Sequence, residues 1–231
     1  MNEVLRQEKK FLISLDQYYS YSNKFNKILE VDKNSQEDGY MVRSLYFDTI
    51  DDKDYEEKKD GLELRRKIRL RIYDTNSPFA LLEMKQKQGE KQKKRSLRIT
   101  REDAKTMILG DYSVLLKYDD KFAAECFSIM SMLCYRPKAV VTYQRKAFVA
   151  KTNDIRITFD NHIKGTESCF DIFSDKLLEN NLLDPYLGVL EVKFNGFLLS
   201  YIKDMLVECN ASEVSVSKYC LGRSISKHYL F

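Results

Sequence analysis

The 231-residue sequence contains no apolar run that approaches the roughly 20 residues needed for a membrane-spanning helix. Its opening, Met1-Asn2-Glu3-Val4-Leu5-Arg6, is charged and holds no apolar signal core. Both absences predict a soluble, cytoplasmic chain with no membrane segment of its own. The cysteines Cys126, Cys134, Cys169, Cys209 and Cys220 are odd in number and show no Cys-x-x-Cys spacing, which excludes a disulfide framework and a zinc site and predicts reduced thiols. The two histidines, His162 and His228, read as surface or packing residues rather than bases. No internal repeat, low-complexity tract or linker interrupts the chain, so residues 1–231 read as a single domain whose 43% hydrophobic content suffices for a full core.

What is present is a concentration of cations. The formal charge of +4 is modest, yet thirteen of the 39 Lys and Arg residues crowd the stretch from Arg65 to Arg101, which points to an anionic partner. Within that stretch Lys67-Ile68-Arg69-Leu70-Arg71-Ile72 alternates strictly, so a strand would place Lys67, Arg69 and Arg71 on one face and Ile68, Leu70 and Ile72 on the other. Four other segments share the pattern: Arg6, Glu8 and Lys10; Glu83 and Lys85 between Leu82 and Met84; Arg156, Thr158 and Asp160 between Ile155, Ile157 and Phe159; and Glu191 and Lys193 between Leu190, Val192 and Phe194. Strands that each carry a mixed charged row predict an α+β fold built on a closed antiparallel β-barrel, with a polar, charged lumen and helices packed outside. Like cations lined up across strands repel one another unless something negative sits among them, so such a lumen suits a polyanion. A nucleic-acid binder would instead present an exposed basic face with stacking aromatics.

Along the chain, strands are expected over Arg6 to Ile13, Val42 to Tyr46, Lys67 to Tyr73, Phe79 to Lys87, Ala139 to Val149, Ile155 to Asp160 and Gly188 to Phe194. Ser14 or Asp16 caps a first helix through Tyr18, Tyr21, Phe25 and Ile28; Thr100 with Asp103 opens a second that Gly110 closes; a third crosses Phe122 to Cys134. Ser174 to Asn181 is a short helix candidate, Phe197 to Cys209 a covering helix, and Ser215 to Lys218 the entry to a last one. Asp51 to Asp54 reads as loop, and Gln86 to Arg95 as a mobile basic loop.

In order, Arg6-x-Glu8-x-Lys10, Tyr46-Phe47-Asp48-Thr49, Lys67-x-Arg69-x-Arg71, Glu83-x-Lys85, Tyr143-x-Arg145-x-x-Phe148, Arg156-x-Thr158-x-Asp160, Leu190-Glu191-Val192-Lys193 and Ser217-Lys218-Tyr219 resemble the polyphosphate polymerase domain of the vacuolar transporter chaperone family, within the triphosphate tunnel metalloenzymes. The resemblance implies a tunnel-forming barrel that holds a phosphate chain and a divalent metal, Mn²⁺ or Mg²⁺, with ATP and inorganic polyphosphate as substrates and unidentified protein partners left open. Carried over position by position, it makes Lys10, Arg69, Arg71, Lys85, Arg145, Arg156 and Lys193 phosphate ligands of the catalytic set, Ser217 and Lys218 a further phosphate contact, Tyr143 a hydroxyl contact, Arg6 and Lys67 substrate contacts, and Glu191 the metal ligand. Glu8 either joins the metal or neutralises Arg6 and Lys10; Asp48 caps a turn in preference to touching metal; Glu83 and Lys85 are either functional or a surface pair. Tunnel hydrolases begin Glu-x-Glu-x-Lys, whereas the first position here is Arg6, which matches the polymerase branch and leaves one carboxylate fewer for a second metal. The implied function is transfer of the γ-phosphoryl of ATP to a polyphosphate chain; the alternatives are a triphosphate or polyphosphate hydrolase and a non-catalytic polyphosphate or nucleotide sensor.

Overall fold

Alternating hydrocarbon and charge gives a chain dominated by strands. The computed structural model describes residues 6–35, 39–89, 91–208 and 213–227; the side chains of Arg6, Lys91, Glu208 and Lys227 lie outside that description, as do Cys209 and His228. In order the elements are β1 (Arg6–Ser14), α1 (Leu15–Ile28), β2 (Glu30–Val31), β3 (Tyr40–Asp48), α2 (Lys53–Lys59), β4 (Arg65–Ile72), β5 (Phe79–Gln88), β6 (Lys91–Thr100), α3 (Arg101–Ile108), α4 (Lys121–Met132), β7 (Arg136–Ala150), β8 (Ile155–Thr166), β9 (Asn180–Asn181), β10 (Leu187–Asn195), α5 (Ser200–Glu208) and α6 (Lys218–Lys227). The sheet order is β1-β10-β8-β7-β3-β4-β5-β6, with β2 on β7 and β9 on β8. The fold is therefore α+β, and the registered strand pairs are antiparallel.

The expected closed barrel is not formed by hydrogen bonds: among the described residues the end strands β1 and β6 do not pair. The reason at β1 is that its outer edge is already engaged, since Lys10 O accepts from Val214 N at 2.8 Å and Phe11 bridges Glu213. At β6 the outermost strand carries Lys93, Lys94, Arg95 and Arg98, and charged edges resist further pairing.

The chain divides into two compact units. The first comprises Met1–Met41, Tyr143–Ile163 and Leu183–Ser217. Its core gathers Ile13, Phe148, Ile155, Ile157, Phe159, Leu190, Val192 and Phe194 from the apolar faces of the strands with Phe25 of α1 and Ile202 of α5. Helix α1 covers this face with Tyr18, Tyr21 and Phe25, and a Ser14–Gln17 capping box fixes its start: Gln17 N donates to Ser14 Oγ at 3.2 Å and Ser14 N to Gln17 Oε1 at 2.9 Å.

The second unit comprises Val42–Thr142, Lys164–Leu182 and Lys218–Phe231. Ile68, Leu70, Ile72, Leu82, Met84 and Ile99 pack under Ala104 and Met107 of α3 and Ala123, Cys126 and Met130 of α4. Burying each large aliphatic side chain contributes about 1.5–3 kcal/mol, against at most about 1 kcal/mol lost per opposed like-charge pair on the other face. The apolar face therefore decides the register, and the cations follow it.

Three local expectations are corrected. Gln86 to Arg95 is no loop: β5 and β6 form a hairpin through Gly89 at φ +58°, and ten registered residue pairs supply the backbone bonds that a solvated basic run lacks. Ser174 to Asn181 forms turns and the two-residue β9 rather than a helix. Its backbone groups are claimed by other partners: Lys176 N donates to Ser174 Oγ in a local turn, and Ser174 O accepts from the distant Arg43. Asp51 to Asp54 leads into α2, because Asp48 accepts from the backbone amides of Thr49, Asp54 and Tyr55, as a cap rather than a metal ligand would. Cys126, Cys134 and Cys169 form no disulfide with one another.

Candidate functional site

Strand parity places two charged clusters, one in each unit. In the first unit the register aligns Lys10 with Glu191 and Thr158 across β1, β10 and β8, and Glu8 with Lys193 and Arg156 in the next row. Across β1 and β10 cation and carboxylate therefore alternate in both directions, whereas across β10 and β8 Lys193 meets the cation Arg156 and Glu191 meets Thr158. Lys10 Nζ lies 2.8 Å from Glu8 Oε1 and 3.8 Å from Glu191 Oε2, and donates to Val216 O at 3.2 Å. Lys193 Nζ pairs with Glu191 Oε1 and lies 3.9 Å from Glu8 Oε2. Burial pulls Lys193 below the ordinary lysine range, while Glu191 and Glu8 act in the opposite direction.

Beside this group, Arg145 grips the fully buried Asp160 with both arms, Nε to Oδ1 at 2.6 Å and Nη2 to Oδ2 at 2.7 Å. Burial opposes the guanidinium charge, but Asp160 outweighs it and holds Arg145 well above the ordinary arginine value. Arg145 also lies 5.2 Å from the ring of Tyr143, which is buried. Arg156 reaches Asp32 Oδ2 at 3.0 Å and Tyr40 Oη at 3.2 Å. All four expected phosphate ligands on the strands of this unit, Lys10, Arg145, Arg156 and Lys193, thus already hold carboxylates.

In the second unit Arg69, Glu83 and Ser96 share a row across β4, β5 and β6. Arg69 Nε donates to Glu83 Oε2 at 2.8 Å, Arg71 Nη1 lies 3.6 Å from the same oxygen, and Lys94 pairs with Glu83 Oε1. Burial alone would raise Glu83, which is 3% exposed, yet Arg69, Arg71 and Lys94 together hold it down to about 2. Glu83 is thus no surface pair with Lys85, which corrects that reading; it is the carboxylate on which three cations converge. Arg69 Nη1 also donates to Tyr46 Oη at 3.2 Å, and Arg71 Nε to Ser44 Oγ at 3.3 Å. Lys85 stands directly opposite Lys67 and Lys94.

Helix α6 begins with Lys218, directly after the buried Ser217. Tyr219 anchors it: the ring stacks on Tyr46 at 5.1 Å, its hydroxyl donates to Asp48 Oδ2 at 2.5 Å, and Lys67 Nζ sits 5.7 Å from its centroid. Further along, Arg223 bonds Asp52 and Glu167. Gly222 is required for the close approach to β7, since a Cβ there would lie 2.8 Å from Val141 Cγ2 and 3.2 Å from Ala139 Cβ. Arg6 pairs with Asn195 through β1, but its side chain lies outside the described residues.

Among the described residues no group of three or more His, Cys, Asp or Glu converges as a self-sufficient metal cage. Glu8 and Glu191, on one face of adjacent strands, offer hard oxygens to an ion that takes its remaining ligands from phosphate, the usual situation for Mg²⁺. Sequence reading missed the hub role of Glu83, the Arg145–Asp160 fork and Lys94. The available signal was parity, because Glu83 lies opposite Arg69 once β4 and β5 are paired.

No protein with a curated function matches the chain significantly. Among solved structures, a Bacillus halodurans protein provisionally described as an adenylate cyclase is similar at a TM-score of 0.55 and 12% identity, covering 93% of each chain. HpAC1 from Hippeastrum, described as a candidate adenylyl cyclase with a dominant triphosphatase activity, is similar at a TM-score of 0.55 and 13% identity over 94% of this chain and 96% of its own. At these identities the likeness is one of fold. The family model described as the VTC domain matches residues 5–227, from the strand that carries Glu8 and Lys10 to the helix that Tyr219 anchors, and the chain accordingly belongs to the VTC domain family.

Proposed function

We propose that the chain is a metal-dependent polyphosphate polymerase that moves the γ-phosphoryl group of ATP onto the end of a polyphosphate chain. The observation that carries this reading is the convergence of Arg69, Arg71 and Lys94 on the single carboxylate of Glu83, which leaves a surplus of fixed positive charge on a half-buried strand face. Membership of the VTC domain family supports the same substrate class.

The step is an exchange of phosphoryl bonds. A terminal oxygen of polyphosphate, already ionised at neutral pH, forms a new bond to the γ-phosphorus; the bond from that phosphorus to the β–γ bridging oxygen breaks, and ADP leaves with the electron pair. No proton need be removed and no side-chain nucleophile is required, so catalysis consists of positioning and charge neutralisation. Arg69 and Arg71 grip non-bridging oxygens through their planar forks, while Lys85, Lys218, Lys10 and Lys193 contribute mobile point charges. Arg145, Arg156, Lys67, Arg6, Ser217 and Tyr143 complete the phosphate-contacting set. Glu191 and Glu8 would hold Mn²⁺ or Mg²⁺, which when bound would supply positive charge to offset that of the phosphate oxygens.

A second reading, hydrolysis of triphosphate or polyphosphate, is favoured by the triphosphatase activity described for HpAC1. Arg6 in place of a first carboxylate counts against it, since activating water with a second metal would want that ligand. Purified protein given ATP, Mn²⁺ and a short polyphosphate primer should lengthen the primer and release ADP in step, and Glu191→Gln should lose that metal-dependent turnover. Free phosphate without longer chains would select the hydrolase instead.

A further inference from the structure

A corner of the second unit holds two carboxyl groups that the proposed phosphoryl transfer does not use. Asp48, at the end of β3, and Asp54, in the first turn of α2, are both fully buried. They are joined directly, since Asp54 N donates to Asp48 Oδ1 at 2.9 Å. The amides of Thr49 and Tyr55, at 2.7 and 2.9 Å, and the Tyr219 hydroxyl of α6, at 2.5 Å, complete a ring of donors around Asp48. Those are the surroundings of a carboxylate. Asp54 is placed differently. Its side chain meets one hydroxyl, that of Tyr135 between α4 and β7, which lies 3.0 Å from Oδ1 and 2.9 Å from Oδ2. The nearby Asp52 pairs with Lys138 and Arg223, whereas among the described residues no ion pair reaches Asp54.

A tyrosine hydroxyl offers one proton, so an ionised Asp54 would leave one buried oxygen facing the lone pairs of Tyr135. A protonated Asp54 instead donates to the hydroxyl oxygen, and both contacts become hydrogen bonds. Burial and the Asp48 charge push Asp54 up to about 8, and Glu57 of α2 adds to the rise, while Tyr135 and Arg66 of β4 pull the other way. Burial also raises Tyr135 and Tyr219, so both hydroxyls keep their protons. From α6, Arg223 faces the same corner but is held by Asp52 and Glu167. The amides on Asp48 lie within seven residues of it, whereas Tyr219 comes from 171 residues away, so the helix is the part that can yield. We infer that Asp48 and Asp54 form a proton-sensitive latch for α6: one proton on Asp54 leaves the corner a single negative charge, and its loss sets a second beside Asp48 and loosens Tyr219. Since α6 opens with Lys218, the placement of that lysine would follow pH. The inference goes beyond the polymerase reading, and its tests use no phosphate ligand.

Infrared spectra of the full chain should show the carbonyl band of a protonated carboxylic acid at neutral pH, lost as pH rises past about 8 and absent from Asp54→Asn. Hydrogen exchange of the α6 amides, corrected for the intrinsic effect of pH, should quicken across the same rise in the wild type but not in Asp54→Asn. In Tyr219→Phe, which lacks the hydroxyl on Asp48, α6 should exchange quickly at neutral pH and gain nothing from the rise. Asp54 titrates near 3.8 in the unfolded chain, so between 3.8 and about 8 the folded state holds the additional proton and stability falls as pH rises. Relative to Asp54→Asn, the folding constant of the wild type should therefore drop by up to about tenfold per pH unit over that interval and level off above it. A wild type without the acid band at neutral pH would overturn the inference, as would α6 exchange that ignores the loss of the band. Both readings come from the wild type, so they decide the matter even where Asp54→Asn does not fold.

Discussion

In the unit built on β1, β10 and β8, Lys10 and Lys193 face Glu8 and Glu191, cation for carboxylate. In the unit built on β3 to β6, Arg69, Arg71 and Lys94 share Glu83. Both clusters arise from the same alternation of hydrocarbon and charge, and in both the apolar face fixes the register. The difference lies in which residues fall opposite each other. The balanced checkerboard sets each carboxylate against a lysine, and the proposed divalent ion would draw its protein oxygens from that set. The unbalanced cluster keeps surplus positive charge, which is what an anion with many oxygens requires. One pattern in sequence therefore yields two charge arrangements, decided by cross-strand pairing.

The comparison can be broken by removing one carboxylate from each cluster. Glu83→Gln deprives three cations of their shared counter-charge and should cost about 3 kcal/mol in denaturant unfolding at neutral pH, at the lower end for one lost partner of a buried pair because Lys94 is half-exposed. Glu191→Gln should cost less than Glu83→Gln, since Glu8 still neutralises Lys10 at 2.8 Å and lies 3.9 Å from Lys193, so each lysine keeps a carboxylate. Equal losses would mean that the two clusters do not differ as described.

A smaller effect, spread over pH, sharpens the same contrast. Glu83 titrates near 4.5 in the unfolded chain and near 2 in the fold, so between those values the unfolded state holds the extra proton. Its stabilisation is fully present above about pH 4.5 and is lost as pH falls through 2. Acid unfolding of the wild type should therefore steepen below pH 4.5, whereas Glu83→Gln should follow a shallower limb over that window. Identical acid limbs would deny Glu83 its depressed value.

Much of this was legible in the sequence for a physical reason. The parity of Ile68, Leu70 and Ile72 against Lys67, Arg69 and Arg71 survives folding because burial of the aliphatic set outweighs every charge interaction on the other face. Ser14 and Thr100 were readable as caps because their partners, Gln17 and Asp103, lie only three residues away. The Arg145–Asp160 fork and the convergence on Glu83 were not, because they depend on which strands pair and in what register, and no local signal encodes that. The β5–β6 hairpin was missed because its basic residues resemble a solvated loop until the ladder that holds them is counted. Helix α2 was missed because Asp48, which caps it, lies six residues before Asp54 and looks like part of a turn. Barrel closure was over-read: alternation predicts which face is charged, but says nothing of whether the end strands meet.

The central claim is that the Glu83 cluster retains surplus positive charge as a site for linear phosphate, and the thermal melting curve with and without tripolyphosphate, recorded across a salt series, tests it most directly. At low salt and a hundredfold excess over its dissociation constant, tripolyphosphate should stabilise the wild type by about 2.7 kcal/mol. The gain should shrink as salt rises, and in Glu83→Gln it should be larger than in the wild type. A melting temperature that tripolyphosphate does not move at low salt, in the wild type and in Glu83→Gln alike, would contradict the account.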